Sequence, residues 1–330
     1  MHLRKSRAGW TCTALLLTAA VLMPFAAAHG GEATEAAAEQ VDRWIAELAS
    51  DNLPQRWHAV YALGQAGPAA ADAVEPLMTI LANLGGHEYV RGTAAWALGR
   101  IGPQAEQAVP LLIETLGSAH ISVRRNSPLA LAQIGPPAAT PAVPQLVGLL
   151  NDPDPEVRVS AAVALWHIAR HERAIPSLEA MLAGPDTGAY EAAVALGRLD
   201  GEPEESVLGA LVAAFAHRDA TVRRAAARSV GRMGEAALPV LQKALEHGQD
   251  EVRRTAAESL GWMGPQAVAS LIAALRNDSP AVRCIAARSL GRLGADAALA
   301  EPALVAALDD SNPEVRQAVA WAIGRVRREP

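Results

Sequence analysis

Apolar residues follow a helical period in pairs of short segments that repeat along most of the chain. The first segment of a pair is short and apolar, as in residues 108–116, and a turn rich in Asp, Asn, Ser and Pro follows it. The second segment is longer and mixes apolar, small and cationic positions, as in AVRCIAARSLGRLG at residues 281–294. Such spacing is typical of amphipathic helices, so each pair predicts a helix–turn–helix unit.

The second segment of this unit occurs nine times. The glycine of its L-G pair, or the equivalent residue, serves as a reference position and recurs every 30 to 35 residues, at Gly64, Gly99, Ala132, Trp166, Gly197, Gly231, Gly261, Gly291 and Gly324. A fixed period of this length predicts stacked two-helix units rather than separate globular domains. We therefore expect an all-α solenoid of about nine units at residues 53–330, with a polar helix within residues 29–52 capping the first unit.

Residues 1–28 have the pattern of a secretory signal peptide. Three basic residues precede an apolar run at residues 8–25, and Ala26, Ala27 and Ala28 form a small-residue cleavage site. We expect a secreted or periplasmic protein with no membrane insertion after cleavage. The alternative is an uncleaved signal that anchors the protein in a membrane, because the apolar run approaches the length that spans a bilayer.

Composition narrows the class of partner. The 330-residue chain is 51% hydrophobic but only 4% aromatic, which suits closely packed small helices, and its formal charge is −6. Removal of residues 1–28 makes the chain more acidic still, since that segment holds no Asp or Glu. Because an acidic protein is a poor general binder of nucleic acid, no nucleic-acid partner is expected. Removal of Cys12 leaves Cys284 without an intramolecular disulfide partner.

The unit resembles the HEAT repeat, in the short variety known from phycobilisome lyases. The resemblance rests on the V-R pair that opens the second segment, the two Ala positions, the L-G pair and the Asp/Asn-Pro turn, and it covers about residues 53–327. It implies a right-handed α–α superhelix of HEAT or armadillo type, in which the second helices line the concave side. Since this fold serves many functions, the resemblance leaves the partner open.

An arginine stands eight residues before the reference position in eight of the nine units, and the fifth unit has Ala189 there. The column consists of Arg56, Arg91, Arg124, Arg158, Arg223, Arg253, Arg283 and Arg316. We interpret it as a structural ladder, because charged residues in packed arrays are usually paired. Candidate acceptors are turn carbonyls and the carboxylates of Asp152, Asp219, Asp250, Asp278 and Asp310. The alternative is a row of anion-binding groups.

Three other positions of the second helix accept every type of residue, which a core position would not. They lie seven and three residues before the reference and one after it, so they share one helix face. We assign them to the inner groove, which is then aromatic and aliphatic in its first half and basic in its second. The predicted partner-binding residues are Trp57, Tyr61, Trp96, Arg100, Tyr190, Arg198, Arg224, Arg228, Arg232, Arg254, Trp262, Arg288, Arg292, Trp321 and Arg325. Cys284 belongs to the same stripe and is expected to face the groove.

The fifth unit is irregular. It lacks the V-R pair, contains GPDTG at residues 184–188 and is followed by the acidic DGEPEE at residues 200–205. We expect a weak contact between units there that allows a bend near residues 184–205. The alternative is that the solenoid absorbs the irregular unit without a break.

Two HEAT-like families perform chemistry. Deoxyhypusine hydroxylases carry His-Glu pairs directly after the V-R position for a di-iron site, but the pairs here, such as Arg224-Ala225, are never His-Glu. Bilin lyases share the repeat but act on a cytoplasmic pigment. His167 and His171 are four residues apart, yet two ligands do not make a metal site. We therefore predict no catalytic residues, cofactor or metal, and Cys284 has no assigned base.

The sequence thus favours an exported, non-enzymatic scaffold that binds an acidic or extended protein partner through its concave face. The alternative is a HEAT-repeat enzyme or enzyme subunit of the lyase-like or hydroxylase-like kind. A third hypothesis is self-stacking, because the last unit ends at residues 327–330 without an evident polar cap helix.

Overall fold

The computed structural model describes residues 31–184 and 188–327 of the chain, with side chains from residue 38 onward. Within these ranges the backbone is helical with short connections, and it contains no strand. The predicted signal peptide, residues 1–28, lies outside the described residues. In the described part, none of the helices combines the length and apolar character that crossing a bilayer requires.

Eighteen α-helices follow one another in the described ranges. They are α1 Gly31–Glu47, α2 Leu53–Ala66, α3 Val74–Ala82, α4 Glu88–Ile101, α5 Val109–Thr115, α6 Ile121–Ile134, α7 Val143–Leu149, α8 Pro155–Ala169, α9 Ala174–Ala183, α10 Ala189–Leu196, α11 Glu205–Ala213, α12 Ala220–Arg232, α13 Leu238–Leu245, α14 Asp250–Met263, α15 Val268–Ala274, α16 Pro280–Leu293, α17 Glu301–Ala306 and α18 Pro313–Val326. Short 3-10 segments connect many of them, at Gly67–Ala73, Gly102–Ala108, Thr140–Ala142, Ala214–Ala216, Gly234–Ala237, Pro265–Ala267, Gly294–Ala300 and Ala307–Asp309.

The helices form nine consecutive pairs, each an odd-numbered helix followed by an even-numbered one. The even-numbered helices α2 to α18 pack side by side in chain order, and each odd-numbered helix from α3 onward packs against the even-numbered helix that follows it. This arrangement is the predicted all-α solenoid, which is confirmed. Helix α1 packs on α2 and provides the first helix of the first pair.

Two columns of apolar side chains form the core between the two layers of helices. The even-numbered helices contribute the residue just before the reference position, which is buried in every unit: Leu63, Leu98, Leu131, Leu165, Leu196, Val230, Leu260, Leu290 and Ile323. The odd-numbered helices from α3 onward contribute Leu77, Leu112, Leu146, Leu178, Leu211, Leu241, Leu271 and Leu304, all fully buried. Burial of one such side chain stabilises the fold by about 1.5–3 kcal/mol, so the repeated leucines hold the layers together.

Proline and glycine set the ends of the helices. Prolines of the odd-numbered helices lie in the first turn, where the missing N–H costs nothing, for example Pro110 in α5 and Pro239 in α13. Glycines after the even-numbered helices adopt positive φ, as at Gly67 (φ 59°, ψ −131°). This conformation is open almost only to glycine, because a positive φ is combined with an extended ψ.

The arginine column is arranged as a ladder along the turns. In six units the guanidinium Nη1 donates to the carbonyls six and five residues earlier, at 2.7–3.2 Å: Arg124, Arg158, Arg223, Arg253, Arg283 and Arg316. Arg56 donates to the carbonyl of Ser50 at 3.0 Å, and buried Arg91 donates through Nε to the carbonyl of Leu81. Seven of the eight arginines therefore brace the turn that precedes their own helix, and Arg91 binds the last turn of α3.

Several rungs also reach a carboxylate of the next unit. Arg124 binds Asp152 at 3.0 Å, and Arg283 binds Asp310 at 2.6 and 2.8 Å. Two other candidate acceptors behave differently: Asp219 caps α12 by accepting from the amide of Thr221, and Asp278 offers its main-chain carbonyl to Arg283. The remaining candidate, at position 250, pairs with the arginine of its own unit at 3.0 Å.

The irregular fifth unit is attached to both of its neighbours. Asp200 accepts hydrogen bonds from Trp166 and Arg170 of the fourth unit. On the other side, the Ser229 hydroxyl donates to the carbonyl of Ala193 at 2.8 Å. Residues 185–187 lie outside the described residues, so the bend near residues 184–205 stays a prediction.

Candidate binding groove

One cleft of about 2420 Å³ runs along the even-numbered helices from α2 to α18. All the helical residues that line it lie on even-numbered helices, and the odd-numbered helices contribute none. The face made by the second helices is therefore the inner, concave face of the stack. We call this cleft the groove.

The structure brings most of the predicted partner-binding residues together in the groove. Those that line it are Trp57, Tyr61, Trp96, Arg100, Tyr190, Arg198, Arg224, Arg228, Arg232, Trp262, Arg288, Arg292 and Trp321. Arg254 and Arg325 lie outside the lining. Arg254 turns back along α14 and pairs with Glu251 at 3.2 Å, and exposed Arg325 lies in the last turn of α18.

The expectation that Cys284 faces the groove is wrong. Its side chain is buried, and its Sγ lies 4.0 Å from the carbonyl oxygen of Glu314 on α18. The reason is that the position seven residues before the reference sits at the seam between neighbouring second helices. A small residue there is covered by the next helix, whereas a long side chain reaches past it.

Three stacked rings cover the first end of the groove and are called the aromatic shelf: Trp57, Tyr61 and Trp96. The rings of Trp57 and Tyr61 are 5.4 Å apart with 14° between their planes, and those of Tyr61 and Trp96 are 5.3 Å apart with 11°. Trp57 Nε1 donates to the Thr93 hydroxyl at 3.1 Å, which fixes that ring. A Cβ at Gly64 would lie 2.2 Å from the Trp96 ring, so the glycine makes room for the stack.

A half-buried cluster of charges occupies the middle of the groove. Arg125 binds Asp154 through Nε and Nη2 at 3.0 and 2.8 Å, and it binds Glu156 through Nη1 at 2.7 Å. Burial raises the pKa of Glu156 and of Glu191. Burial acts most strongly on Asp154 too and opposes its ionisation, but the hydrogen bonds from Arg125 and from the amides of Val157 and Glu156, together with the charge of Arg125, lower the pKa of Asp154. Arg125 thus binds two carboxylates and interacts with that of Glu191 through its charge. The buried Oε2 of Glu191 accepts no hydrogen bond from a described residue.

The second half of the groove lining is basic. It carries six arginines, called the basic zone, against the single acidic residue Glu258: Arg198, Arg224, Arg228, Arg232, Arg288 and Arg292. Arg228 lies over the ring of Trp262, 4.5 Å from the ring centroid. Burial and the charges of Arg198 and Arg228 lower the pKa of Arg232. Positive charges therefore lie close together here, and no carboxylate of a described residue is bound to Arg228 or Arg232.

His167 and His171, the histidine pair considered as a metal site, make separate local contacts. His167 lines the groove with its Nδ1 3.3 Å from Asp200, while His171 Nδ1 accepts from the amide of Arg173 just beyond α8. In residues 31–184 and 188–327, no group of three or more His, Cys, Asp or Glu side chains is arranged to hold a metal ion.

Sequence reasoning missed the acidic part of the groove lining. Glu88 and Glu156 lie in the first turns of α4 and α8, and Glu191 follows Tyr190 in α10. These positions lie outside the stripe spaced by four residues. The helix dipole favours acidic residues in the first turn of any helix. An acidic residue at such a position therefore does not by itself indicate that it lines a groove.

The family model for HEAT repeats matches the chain at residues 41–127, 74–143, 109–197, 188–261, 207–279 and 268–330. Two similar solved structures are the crystal structure of an engineered protein from the Northeast Structural Genomics Consortium and that of human deoxyhypusine hydroxylase in complex with glycerol. The first is 24% identical, with 92% of each chain covered and a TM-score of 0.40. The second is 24% identical, with 91% of this chain and 100% of that chain covered and a TM-score of 0.35. No curated protein sequence matches the chain.

The family match spans nearly the whole chain from residue 41 to residue 330 and agrees with the stacked helix pairs of the structure. It does not separate the phycobilisome-lyase variety from other HEAT repeats, so that subtype stays a resemblance. The chain belongs to the HEAT-repeat family.

Proposed function

We propose that this protein is an exported, non-enzymatic scaffold that binds an acidic, extended segment of another protein in its groove. The observation that carries the proposal is the basic zone, with six arginines and one glutamate in the part of the groove lining from Arg198 onward. Extended concave surfaces of solenoids commonly serve as binding surfaces, and HEAT repeats are typical of such scaffolds.

The electrostatics of the basic zone favour an anionic occupant. Two unit charges 4 Å apart interact by about 4 kcal/mol at an effective dielectric constant of 20. Arginines that crowd one another therefore raise the energy of the empty groove, and the lowered pKa of Arg232 reflects this repulsion together with burial. Carboxylates of a partner relieve the repulsion and accept paired hydrogen bonds from guanidinium groups.

The same lining disfavours a nucleic acid. Its first half carries three carboxylates, those of Glu88, Glu156 and Glu191, which a continuous phosphate backbone would have to pass. The chain as a whole has a formal charge of −6, which repels a polyanion at long range. A protein segment can instead concentrate its acidic residues at one end and avoid the carboxylates.

Export is proposed from the signal-peptide pattern of residues 1–28, with the mature protein in the periplasm or outside the cell. Among the described residues the single cysteine, Cys284, is buried, so its thiol is shielded from oxidation in such a compartment.

Affinity capture with matched triple variants tests the proposal. The groove variant is R228E/R232E/R288E, and the outer variant is R173E/K243E/R276E, which reverses three exposed charges on or beside odd-numbered helices. Both variants change the net charge equally. We expect envelope proteins captured by the wild-type protein and by the outer variant to be lost with the groove variant. Equal capture by all three proteins would contradict the proposal.

The enzyme alternative is tested by elemental analysis of the purified protein. A hydroxylase-like protein would contain iron in stoichiometric amount, whereas the scaffold contains none. Self-stacking is tested by light scattering, since the exposed Ala320 and Gly324 on α18 are not covered by a described helix. A strict monomer at high protein concentration would exclude it.

A further inference from the structure

The two ends of the groove differ in chemistry. The aromatic shelf lies on α2 and α4, whereas the basic zone begins just beyond the end of α10 and continues on α12 and α16. The carboxylates of Glu156 and Glu191 lie between them, on α8 and α10, and Glu88 lies in the first turn of α4. An occupant that runs from α2 to α16 therefore meets stacked rings first, carboxylates next and arginines last.

We infer that the groove binds a single protein segment of bipartite composition, with aromatic or proline residues at one end and a run of Asp and Glu at the other. This inference rests on the proposed function and deepens it by assigning the shelf to the non-acidic end of the partner.

The aromatic shelf is a surface prepared for stacking. Its three rings are nearly parallel, and Trp57 is 38% exposed, so an apolar face remains in contact with solvent. The indole N–H of Trp57 is already bonded to Thr93, and the Tyr61 hydroxyl accepts from the side-chain amide of Gln65 at 2.8 Å. Because the polar atoms are engaged within the protein, the faces of the rings are what the shelf offers to a partner. Flat rings and proline rings suit such a surface.

The middle of the groove restricts where acidic residues of the partner can lie. Arg125 is already bound to Asp154 and Glu156, so it offers little to a further carboxylate. Burial raises the pKa of Glu191, which means that negative charge is already unfavourable at this place. A partner carboxylate in the middle would add to that charge. The acidic run is therefore confined to the part of the segment that reaches α10 and beyond.

The length of the segment follows from helix packing. Three steps between neighbouring second helices separate α4 from α10, which is roughly 25–30 Å at the usual interaxial distance of 8–10 Å. An extended chain advances about 3.3 Å per residue, so a spacer of about eight residues joins the two ends. A segment of about 15–20 residues then covers both the shelf and the basic zone.

Titration calorimetry with two synthetic peptides tests the inference on the full-length mature protein. The bipartite peptide has six Glu, a spacer of eight Gly and Ser residues, and the block Phe-Pro-Trp-Pro-Phe; the acidic peptide has Ser in place of that block. We expect the bipartite peptide to bind about tenfold more tightly, in line with the strength of aromatic stacking. Trp57→Ala should remove this tenfold advantage and leave the affinity for the acidic peptide unchanged, and Trp57→Phe should restore most of it.

Leu84 provides the control, because it is 80% exposed, lies between α3 and α4 and is outside the groove lining. Leu84→Ala should keep the tenfold advantage. Equal binding of the two peptides, or loss of the advantage in Leu84→Ala but not in Trp57→Ala, would overturn the bipartite inference while the proposed function stands. Binding of neither peptide would overturn both. A single-stranded oligodeoxythymidine of equal length that binds more tightly than the bipartite peptide would overturn the assignment to a protein segment.

Discussion

The arginine ladder makes a quantitative prediction about stability, because two of its rungs make the same bonds to their turn but differ in an inter-unit ion pair and in burial. Arg283 and Arg316 each donate two hydrogen bonds through Nη1 to carbonyls of their own turn, at 2.7–3.1 Å. Arg283 also binds both carboxylate oxygens of Asp310, at 2.6 and 2.8 Å. A comparison of Arg283→Ala with Arg316→Ala therefore measures what the partly buried inter-unit ion pair adds to the bonds within the turn.

The expected loss in the free energy of unfolding depends on how far each arginine is buried. The bonds to turn carbonyls can be replaced by water at the exposed rung, so Arg316→Ala should cost about 1 kcal/mol. The side chains of Arg283 and Asp310 are only 13% and 9% exposed, and removal of the arginine leaves the carboxylate without its partner. Loss of one member of a buried pair costs about 3–5 kcal/mol; for this partly hydrated pair we expect about 3 kcal/mol for Arg283→Ala.

Urea unfolding followed by tryptophan fluorescence measures the total cost, and hydrogen exchange with mass spectrometry locates it. Because stability in a solenoid is nearly a sum of unit and interface contributions, the loss should appear in α16 to α18 and spare α2 to α8. Equal costs for the two variants, or faster exchange spread evenly over the chain, would refute the ladder as an inter-unit brace.

The same ion pair predicts a pH dependence. The hydrogen bond from Arg283 lowers the pKa of Asp310 below its ordinary value. A carboxyl group whose folded pKa is depressed stabilises the fold above its unfolded pKa of about 3.9 and loses that contribution as the pH falls through the folded pKa. The stability difference between wild type and Arg283→Ala should therefore be full at pH 7 and shrink below about pH 4.

Three further predictions concern single positions. Gly99→Ala should destabilise the fold by about 1–2 kcal/mol, because a Cβ there would lie 2.6 Å from the Ala130 backbone. Gly324→Ala should stabilise it by up to about 1 kcal/mol, since a Cβ there would meet no described atom within 4 Å beyond its chain neighbours and the backbone of its own helix. Thermal unfolding of both variants checks the opposite signs. Burial raises the folded pKa of Glu191, so the wild type loses stability as the pH rises above the unfolded pKa of about 4.3. Glu191→Gln should therefore be more stable than wild type at pH 7, by about 1 kcal/mol or less, and equal to it below about pH 4. Equal urea midpoints at pH 7 would contradict this. The exported protein should begin at His29, and mass spectrometry of the mature N-terminus checks it.

The repeat pattern made most of the fold predictable. The reference glycines, the leucine columns and the arginine ladder recur in most units. A contact between units that is made many times therefore leaves a repeated pattern in the sequence. The groove lining was predictable where it followed the same stripe, as at Trp57, Arg228 and Trp262. All three line the groove in the structure.

The rest depended on contacts that vary from unit to unit. Cys284 is buried because α18 covers it, and Arg254 leaves the groove because Glu251 lies within reach. The acidic middle of the groove arises because Arg125 of the third unit meets Glu156 of the fourth and lies close enough to Glu191 of the fifth for their charges to interact. Such meetings depend on how neighbouring units are placed, which a single sequence pattern does not describe.

We expect the basic zone of the groove to recognise acidic residues of a partner. The most direct measurement is the dissociation constant of the acidic peptide for the wild type, the groove variant R228E/R232E/R288E and the outer variant R173E/K243E/R276E at 0.15 M salt. We predict that the groove variant binds at least about 30-fold more weakly, roughly 2 kcal/mol, while the outer variant stays within about twofold. Equal weakening in the two variants would show that only net charge matters and would contradict the claim.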